Sequence, residues 1–245
     1  MVLAGPMLQI AVAAALIAVL AGLSQSVTGF GFSMVAIPLL ALWSDSRLAI
    51  VAITMLAAFC TLVGGIRERA HVDWRTSRLV TVSAVVGMPF GLVALKLASV
   101  RTLSLLIGLM VLVSVVVLAR GVRLEPGIGH TLGAGWLSGA LLTSTGMNGP
   151  PLVAAFQAMR LTPHTFRATL QAAFFVQDLF AIAGFAIIGQ VSVPALVAAA
   201  AGVPGVLVGW FLGDRVFAHL SPRVFRVLVL LLMTATGCVA LAEAF

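Results

Sequence analysis

The chain has 245 residues, of which 62% are hydrophobic and only 9% are charged, and its mean hydropathy is +1.20. A soluble domain carries about 25% charged residues, so this composition excludes a soluble globular protein and indicates an integral membrane protein. The formal net charge of +7 comes mostly from cations in short loops between apolar stretches, which is typical of topology signals that face anionic lipid rather than of a nucleic-acid interface.

Charged residues divide the chain into seven apolar stretches, roughly 1–44, 48–66, 79–95, 102–119, 131–159, 168–213 and 227–242. A spanning helix needs about 20 residues, so four of the stretches fit one span each and 168–213 fits two, separated near residues 189–194. The first and fifth stretches are too long for one simple span. Hydropathy alone therefore predicts about eight segments. Residues 1–44 contain no charge and so lack the basic start of a signal peptide, and we expect this stretch to belong to the mature protein.

The two over-long stretches each contain a cluster of small and polar residues that interrupts the helix pattern. The first cluster covers residues 24–33 and the second residues 143–151, and Thr28-Gly29 superimposes on Thr145-Gly146 at a separation of 117 residues. In lipid, broken backbone is tolerated only where it is buried in protein or lines a cavity. A matched pair of breaks in two halves is typical of the substrate site of a secondary transporter.

Further markers recur in the same order after each break. They are Arg47 and Arg167, Gly87-Met88-Pro89 and Gly202-Val203-Pro204, and Arg101 and Arg223. We therefore expect one membrane domain, 1–245, made of two homologous halves, 1–120 and 128–245.

The course of the broken segments decides how the halves are related. If each crosses the membrane, the halves are parallel and the Lys and Arg residues divide 8 to 6 between the two sides. If each returns as a re-entrant hairpin, the halves are inverted. Arg47, Lys96 and Arg101 then lie on one side of the membrane, and the other eleven Lys and Arg residues lie on the opposite side. The second division fits the positive-inside rule, and half-helices of about 10–16 residues reach the middle of the membrane. We predict an all-α fold of inverted repeats with both termini outside.

The breaks are the candidate substrate site. Half-helix N-termini leave backbone N–H groups unpaired, their dipoles favour an anion, and glycine lets an anion approach closely. The candidate binding residues are Ser24, Gln25, Ser26, Thr28, Gly29, Gly31, Ser33, Ser144, Thr145, Gly146, Asn148 and Gly149. The alternative is that these small residues only permit close helix packing.

Three further residues are candidates because of their charge or position. Arg47 and Arg167 begin the helices after the breaks, where a guanidinium suits an oxyanion, although both would also serve as interfacial topology anchors. Asp178 lies near the middle of a predicted span, where an acid suggests a proton relay, and Gln171 lies seven residues earlier on the same helical face. We expect Asp178 to titrate during transport; the alternative is a hydrogen-bonded carboxyl that caps a partner helix. Its repeat counterpart is Ala58.

The clusters also carry a family resemblance. Val27-Thr28-Gly29-Phe30-Gly31-Phe32-Ser33, followed by Ile37-Pro38-Leu39-Leu40, resembles the first signature of the TauE/SafE family, the sulfite exporter family. The run from Gly146 to Val153, then Phe166-Arg167-Ala168-Thr169-Leu170, is similar to the second. The resemblance covers essentially the whole chain and implies a permease for sulfite, sulfonates or related small organic anions. Phe30, Phe32 and Met147-Asn148 depart from the pattern, and we expect them to tune the substrate.

The sequence thus predicts a secondary anion transporter, with export as the direction that the resemblance suggests. A passive anion channel is the alternative, and a membrane-embedded enzyme or assembly factor is a weaker one. Cys60 and Cys238 stand alone and no His, Cys and Asp cluster is visible, so we expect no metal, no cofactor and no enzyme activity. The expected partners are a small anionic substrate and the bilayer of a bacterial inner membrane, with the oligomeric state, a homodimer included, left open.

Overall fold

The computed structural model describes residues 4–120, 127–159 and 161–217, together with isolated positions between 227 and 241. The helices in this part of the chain are α1 (Ala4–Thr28), α2 (Phe32–Ala41), α3 (Ser46–Glu68), α4 (Trp74–Leu97), α5 (Val100–Arg120), α6 (Ile128–Thr145), α7 (Gly149–Ala158), α8 (Pro163–Ile187) and α9 (Val193–Phe217). Six of them are long and apolar enough to cross a membrane, so the chain is an all-α, multi-pass membrane protein, as its composition predicted. Half of the last apolar stretch, 227–242, and Arg223 lie outside the described residues.

The helix boundaries follow local signals in the sequence. Asp45, Asp73 and Thr162 each cap a helix, because their side chains accept hydrogen bonds from backbone N–H groups of the first turn. The stretch 168–213 forms two helices with a turn between Ile187 and Val193, which confirms the predicted separation.

Helix α9 packs closely on α1 along a line of glycines spaced four residues apart. A Cβ added at Gly205 would lie 2.3 Å from the Ala15 carbonyl oxygen, and one added at Gly209 would lie 2.2 Å from that of Val19. Only glycine allows two backbones to approach so closely, which is the usual basis of small-residue helix packing in membranes. The paired positions increase together along both helices, so α1 and α9 are parallel.

The same arrangement joins α4 to α6. A Cβ added at Gly91 would lie 2.1 Å from the Ala140 carbonyl oxygen, and one added at Gly139 would lie 1.9 Å from that of Ala84. These helices are also parallel. Helix α1 of the first predicted half therefore packs against α9, which carries the Gly202-Val203-Pro204 marker of the second half. Likewise, α6 of the second half packs against α4, which carries the Gly87-Met88-Pro89 marker of the first half.

Helices α3 and α8, which follow the breaks, pack against each other in opposite directions. Glu68 at the end of α3 pairs with Arg167 near the start of α8, whereas Thr61, earlier in α3, lines the same small cavity as Asp178, later in α8. By contrast, α3 runs parallel to α9, since Leu56 lies at Gly202 and Gly64 lies near Trp210. Helices α1, α3 and α9 thus share one direction.

The chain consequently reverses its course between α1 and α3. Ser26, near the end of α1, accepts a hydrogen bond from Arg167, which also pairs with the last residue of α3, Glu68. To start α3 at Ser46 the chain must come back, and α2, with 10 residues and a length of about 15 Å, supplies much of that return. With 25 and 18 residues, α1 and α6 are longer than the half-helices that we expected.

The cations are distributed unevenly between the two ends of the bundle. Arg47 donates to the Leu95 and Ala98 carbonyls, which places it at the same end as Lys96 and Arg101. The other described cations lie at the opposite end, by the direction of their helices: Arg67, Arg69, Arg75, Arg78, Arg120, Arg167 and Arg215. We call this second end the basic end.

Candidate functional site

The two breaks meet inside the bundle. A Cβ added at Gly149, in the second break, would lie 3.8 Å from the Met34 sulfur and 4.0 Å from a Phe30 ring carbon of the first break. A small cavity lies between the breaks, α3 and α8. It is lined by Gln25, Gly31, Phe32, Ser33, Met34, Ala57, Thr61, Asn148, Gly149, Phe174 and Asp178. Six of the residues proposed from sequence are therefore brought together, namely Gln25, Gly31, Ser33, Asn148, Gly149 and Asp178.

The cavity is small in this conformation. Its volume of about 20 Å³ is roughly the space that one water molecule occupies. A sulfite ion has four heavy atoms and a sulfonate has more, so either would require the lining helices to separate. The shortest helices at the cavity are α2 and α7, with 10 residues each, and they line it with their N-terminal turns.

Two glycines and one glutamine shape the first break. Gly29 and Gly31 have φ values of 77° and 106°, in the left-handed region that glycine enters without a Cβ clash. The buried Gln25 amide joins the two sides of this turn: its Oε1 accepts from the Phe32 N–H at 3.1 Å, and its Nε2 donates to the Gly29 carbonyl at 3.2 Å. Gln25 therefore fixes the break, and one of the two N–H donors of its amide is already in use.

The electrostatics of the first break favour an anion on the cavity side. Arg167 donates to the Ser26 carbonyl at 3.0 Å and Gln25 donates to that of Gly29, so the negative end of α1 is compensated. With the Phe32 N–H bound to Gln25, the N–H groups of Ser33 and Met34 remain as first-turn donors of α2, and both residues line the cavity.

The second break offers fewer donors than we expected from the sequence. Helix α7 starts with Gly149-Pro150-Pro151, and proline has no N–H, so Gly149 supplies the one first-turn backbone donor. Beside it, the Asn148 amide donates to Gln177 Oε1 at 3.3 Å. Ser138 Oγ lies 3.1 Å from the same Gln177 oxygen, while the buried Gln177 Nε2 has no hydrogen-bond partner.

Several hydroxyls that we proposed as ligands are used inside their own helices. Ser26, Thr28, Ser144 and Thr145 each donate to a carbonyl three or four residues earlier, at 2.8–3.0 Å. These four do not line the cavity, nor do Gly29 and Gly146. Ser24 Oγ is buried without a hydrogen-bond partner and faces Gly31 rather than the cavity.

The two arginines occupy different surroundings despite their matched sequence positions. Arg47 binds the carbonyls at the C-terminus of α4 and does not line the cavity. Arg167 lies on the first break: a Cβ added at Gly29 would lie 2.7 Å from its Cγ, and its guanidinium pairs with Glu68 at 3.2 Å. Of these two arginines, Arg167 is therefore the one that contacts a break. It belongs to the second predicted half and contacts the first break.

Asp178 is buried at the cavity, with 2% of its surface exposed. It lies beside Thr61, which also lines the cavity and whose hydroxyl donates to the Ala57 carbonyl at 2.8 Å. A hydroxyl has one proton, so Thr61 cannot donate to Ala57 and to a charged Asp178 together. A neutral Asp178 can donate its own proton to the Thr61 oxygen instead.

Sequence reasoning did not identify Thr61, Phe174, Gln177 or Ser138 as parts of the site. Thr61 lies one helical turn beyond Ala58, the repeat counterpart of Asp178, and is a polar residue within an apolar span, which was a usable signal. Ser138 and Gln177 are likewise polar residues within apolar stretches, and Gln177 directly precedes Asp178. Among the described residues there is no group of His, Cys, Asp and Glu suited to hold a metal ion.

Comparison with known proteins agrees with this architecture. The family model described as "Sulfite exporter TauE/SafE" matches residues 14–240. The chain belongs to the TauE/SafE family. The match includes both breaks and the helices that follow them, and it confirms the resemblance seen in the sequence.

One curated relative carries a functional name. The protein named "Probable sulfite/organosulfonate exporter TauE", from Cupriavidus necator, is 27% identical over 213 residues, which cover 82% of each chain. No solved structure matches the chain. The family is named for sulfite export, so membership makes this chain a membrane transporter, and its long apolar helices give it a multi-pass location in the membrane.

Proposed function

We propose that this protein is a secondary transporter that exports sulfite or organosulfonates and binds them where its two breaks meet. The observation that carries the proposal is the cavity lined by both breaks and by Asp178. The name of the Cupriavidus necator relative supplies the substrate class, and the uncharged donors of the cavity are compatible with it.

The donors suit a small oxyanion. Ser33 and Met34 contribute backbone N–H groups from α2, and Asn148 and Gly149 contribute donors from the opposite side. These groups can reach separate oxygens of one sulfonate or sulfite headgroup, which needs several donors. No cation lines the cavity, so the partial charge at the start of α2 supports the anion without holding it too tightly for release.

We further propose that the anion binds only while Asp178 is neutral, because a carboxylate in the same small cavity would repel it. Proton and anion then move together in the same direction. Cys60 of α3 is the other ionisable side chain beside Asp178 among the described residues. The 2.8 Å hydrogen bond from Thr61 to the Ala57 carbonyl supports the proposal, since a charged Asp178 would have to compete with that carbonyl for the hydroxyl proton.

The proposed mechanism is alternating access by inverted repeats with re-entrant hairpins. Three observations support it: the equivalent helices α3 and α8 run in opposite directions, the chain reverses between α1 and α3, and the basic end carries seven of the ten described cations. In parallel repeats, equivalent helices would share one direction. Movement of one hairpin relative to the other would open the cavity to either side.

Uptake into proteoliposomes tests the substrate and the mechanism. Sulfite, thiosulfate, sulfoacetate, an alkyl sulfonate and short carboxylates are offered in turn, and we expect saturable uptake of the sulfur anions with counterflow from preloaded vesicles. Uptake that does not saturate and shows no counterflow would identify a channel. If none of these anions is transported and none stabilises the purified protein, the organosulfur assignment is wrong.

The coupling is tested with an alkyl sulfonate, whose own charge does not change across the neutral pH range. We expect wild-type transport to fall as the pH rises, because Asp178 loses its proton. Asp178→Asn imitates the neutral acid, so it should transport the sulfonate without that pH dependence and without proton movement, whereas Asp178→Glu should keep both. An unchanged pH profile in a normally expressed Asp178→Asn protein would remove Asp178 from the coupling.

A further inference from the structure

A line of polar pairs connects the central cavity to the basic end between α3 and α8. Asp178 and Thr61 line the cavity together, the Gln171 side chain lies against Gly64, and Arg167 pairs with Glu68 at the end of α3. On α8 these residues share one face, because positions 167, 171, 174 and 178 are spaced at three or four residues. Phe174, which lines the cavity, separates Asp178 from Gln171 on that face.

Several polar atoms at the outer part of this line are buried and have no hydrogen-bond partner. They are both amide atoms of Gln171, the Nε of Arg167 and the Oε2 of Glu68. Gln171 is completely buried, so its amide cannot be satisfied by bulk solvent. Buried polar atoms are rarely left unpaired in a resting protein, and a cluster of them beside a guanidinium points to a ligand that is bound there at some stage.

We propose that Arg167 and Gln171 form a second anion site on the route between the central cavity and the basic end, with Glu68 as its competitor. In the empty site Glu68 holds the guanidinium. A substrate oxyanion takes the place of the Glu68 carboxylate, accepting from Arg167 Nε and from the Gln171 amide. This inference rests on the proposed function, because it assumes that the transported ligand is a small sulfur oxyanion.

The position of Arg167 links this second site to the first break. Its aliphatic stem covers Gly29, and its guanidinium holds the Ser26 carbonyl at the end of α1. An anion that pulls the guanidinium away from Ser26 therefore loosens the first break as it arrives or leaves. Gly64 keeps space for the Gln171 amide, since a Cβ added there would lie 1.6 Å from its Oε1. Arg67 and Arg69 at the same end would raise the local anion concentration.

The test measures KM and maximal rate for an alkyl sulfonate in proteoliposomes, with the melting temperature of each purified variant. Glu68→Gln removes the competing charge and keeps an oxygen that can accept from Arg167. We expect its KM to fall about tenfold, because a charge-assisted hydrogen bond no longer has to be displaced. Arg167→Lys keeps the charge and loses the planar fork, so its KM should rise about tenfold. Arg78→Gln, an exposed arginine of the basic end, is the matched control and should leave KM unchanged.

A double variant separates a binding role from a structural one. If Glu68 acts by competing for the charge of Arg167, Glu68→Gln should not lower KM in an Arg167→Gln background, which offers no cation for Glu68 to hold. If both substitutions lower the melting temperature while KM stays at the wild-type value, the pair is structural and the second site does not exist. Wild-type protein that transports no anion would refute the proposed function itself. Wild-type transport with unaltered KM in all the variants would refute only this inference.

Discussion

The prediction with the clearest structural basis concerns Gln25, whose buried amide holds the first break together. Gln25→Met keeps an unbranched side chain of similar length and removes both hydrogen bonds, to the Phe32 N–H and to the Gly29 carbonyl. Gln25 is 1% exposed, so water does not replace either bond. Each buried group left without a partner costs about 1–3 kcal/mol, which gives a total of about 2–6 kcal/mol.

Thermal unfolding of the purified protein in detergent measures this cost. In a chain of this size, 1 kcal/mol shifts the melting temperature by about 2–4 °C, so Gln25→Met should melt at least about 4 °C below wild type. Gln9→Met, on the exposed surface of the same helix, is the matched control and should melt with the wild type. If Gln25→Met melts like Gln9→Met, the amide does not hold the break, and the assignment of α2 as a positioned anion-binding helix loses its basis.

The remaining predictions concern packing and capping. Gly209→Ala places a Cβ against the α1 backbone and should destabilise the protein by about 1–3 kcal/mol. Gly133→Ala, with open space around it, should be neutral or stabilising. Equal melting temperatures of the two variants would contradict the close α1–α9 contact. Asp73→Ala removes the cap of α4 and should cost about 1 kcal/mol at neutral pH. The hydrogen bond from Thr76 holds the pKa of Asp73 below its ordinary value, so the cap stabilises the protein above about pH 4 and is lost as the pH falls through the lowered pKa. The difference in melting temperature between wild type and Asp73→Ala should therefore shrink as the pH falls. Arg47→Gln should lower the melting temperature but leave KM for the substrate unchanged, and a raised KM would return Arg47 to the site.

Much of the architecture could be predicted from the sequence because it depends on local composition. The membrane class follows from the scarcity of charge, and the two helices of 168–213 follow from the length of the stretch and its Gly and Pro residues. The breaks at Gly29 and Gly146 were visible because glycine next to threonine disrupts an otherwise apolar run. The family was visible for the same reason, since its signatures are these local runs.

The composition of the site could not be predicted in the same way. A serine or threonine in a helix can bond a carbonyl of its own preceding turn or face a neighbouring helix, and only the packing decides between them. Thr28, Thr145 and Thr61 all donate to a carbonyl of their own preceding turn. Of these three, only Thr61, which the sequence did not single out, lines the cavity beside Asp178. Equivalent positions likewise acquired different contacts, since Arg47 caps a helix end and Arg167 crosses to the opposite break.

The sequence by itself therefore determined the class of protein, the family and the places where its helices break. These properties are encoded by residues within a few turns of one another. Only the tertiary structure decided which faces of the two breaks meet, because that depends on contacts between segments more than one hundred residues apart. The close approach of α1 to α9 and of α4 to α6, permitted by glycines, brings the breaks together around Asp178 and places Arg167 beside the first of them.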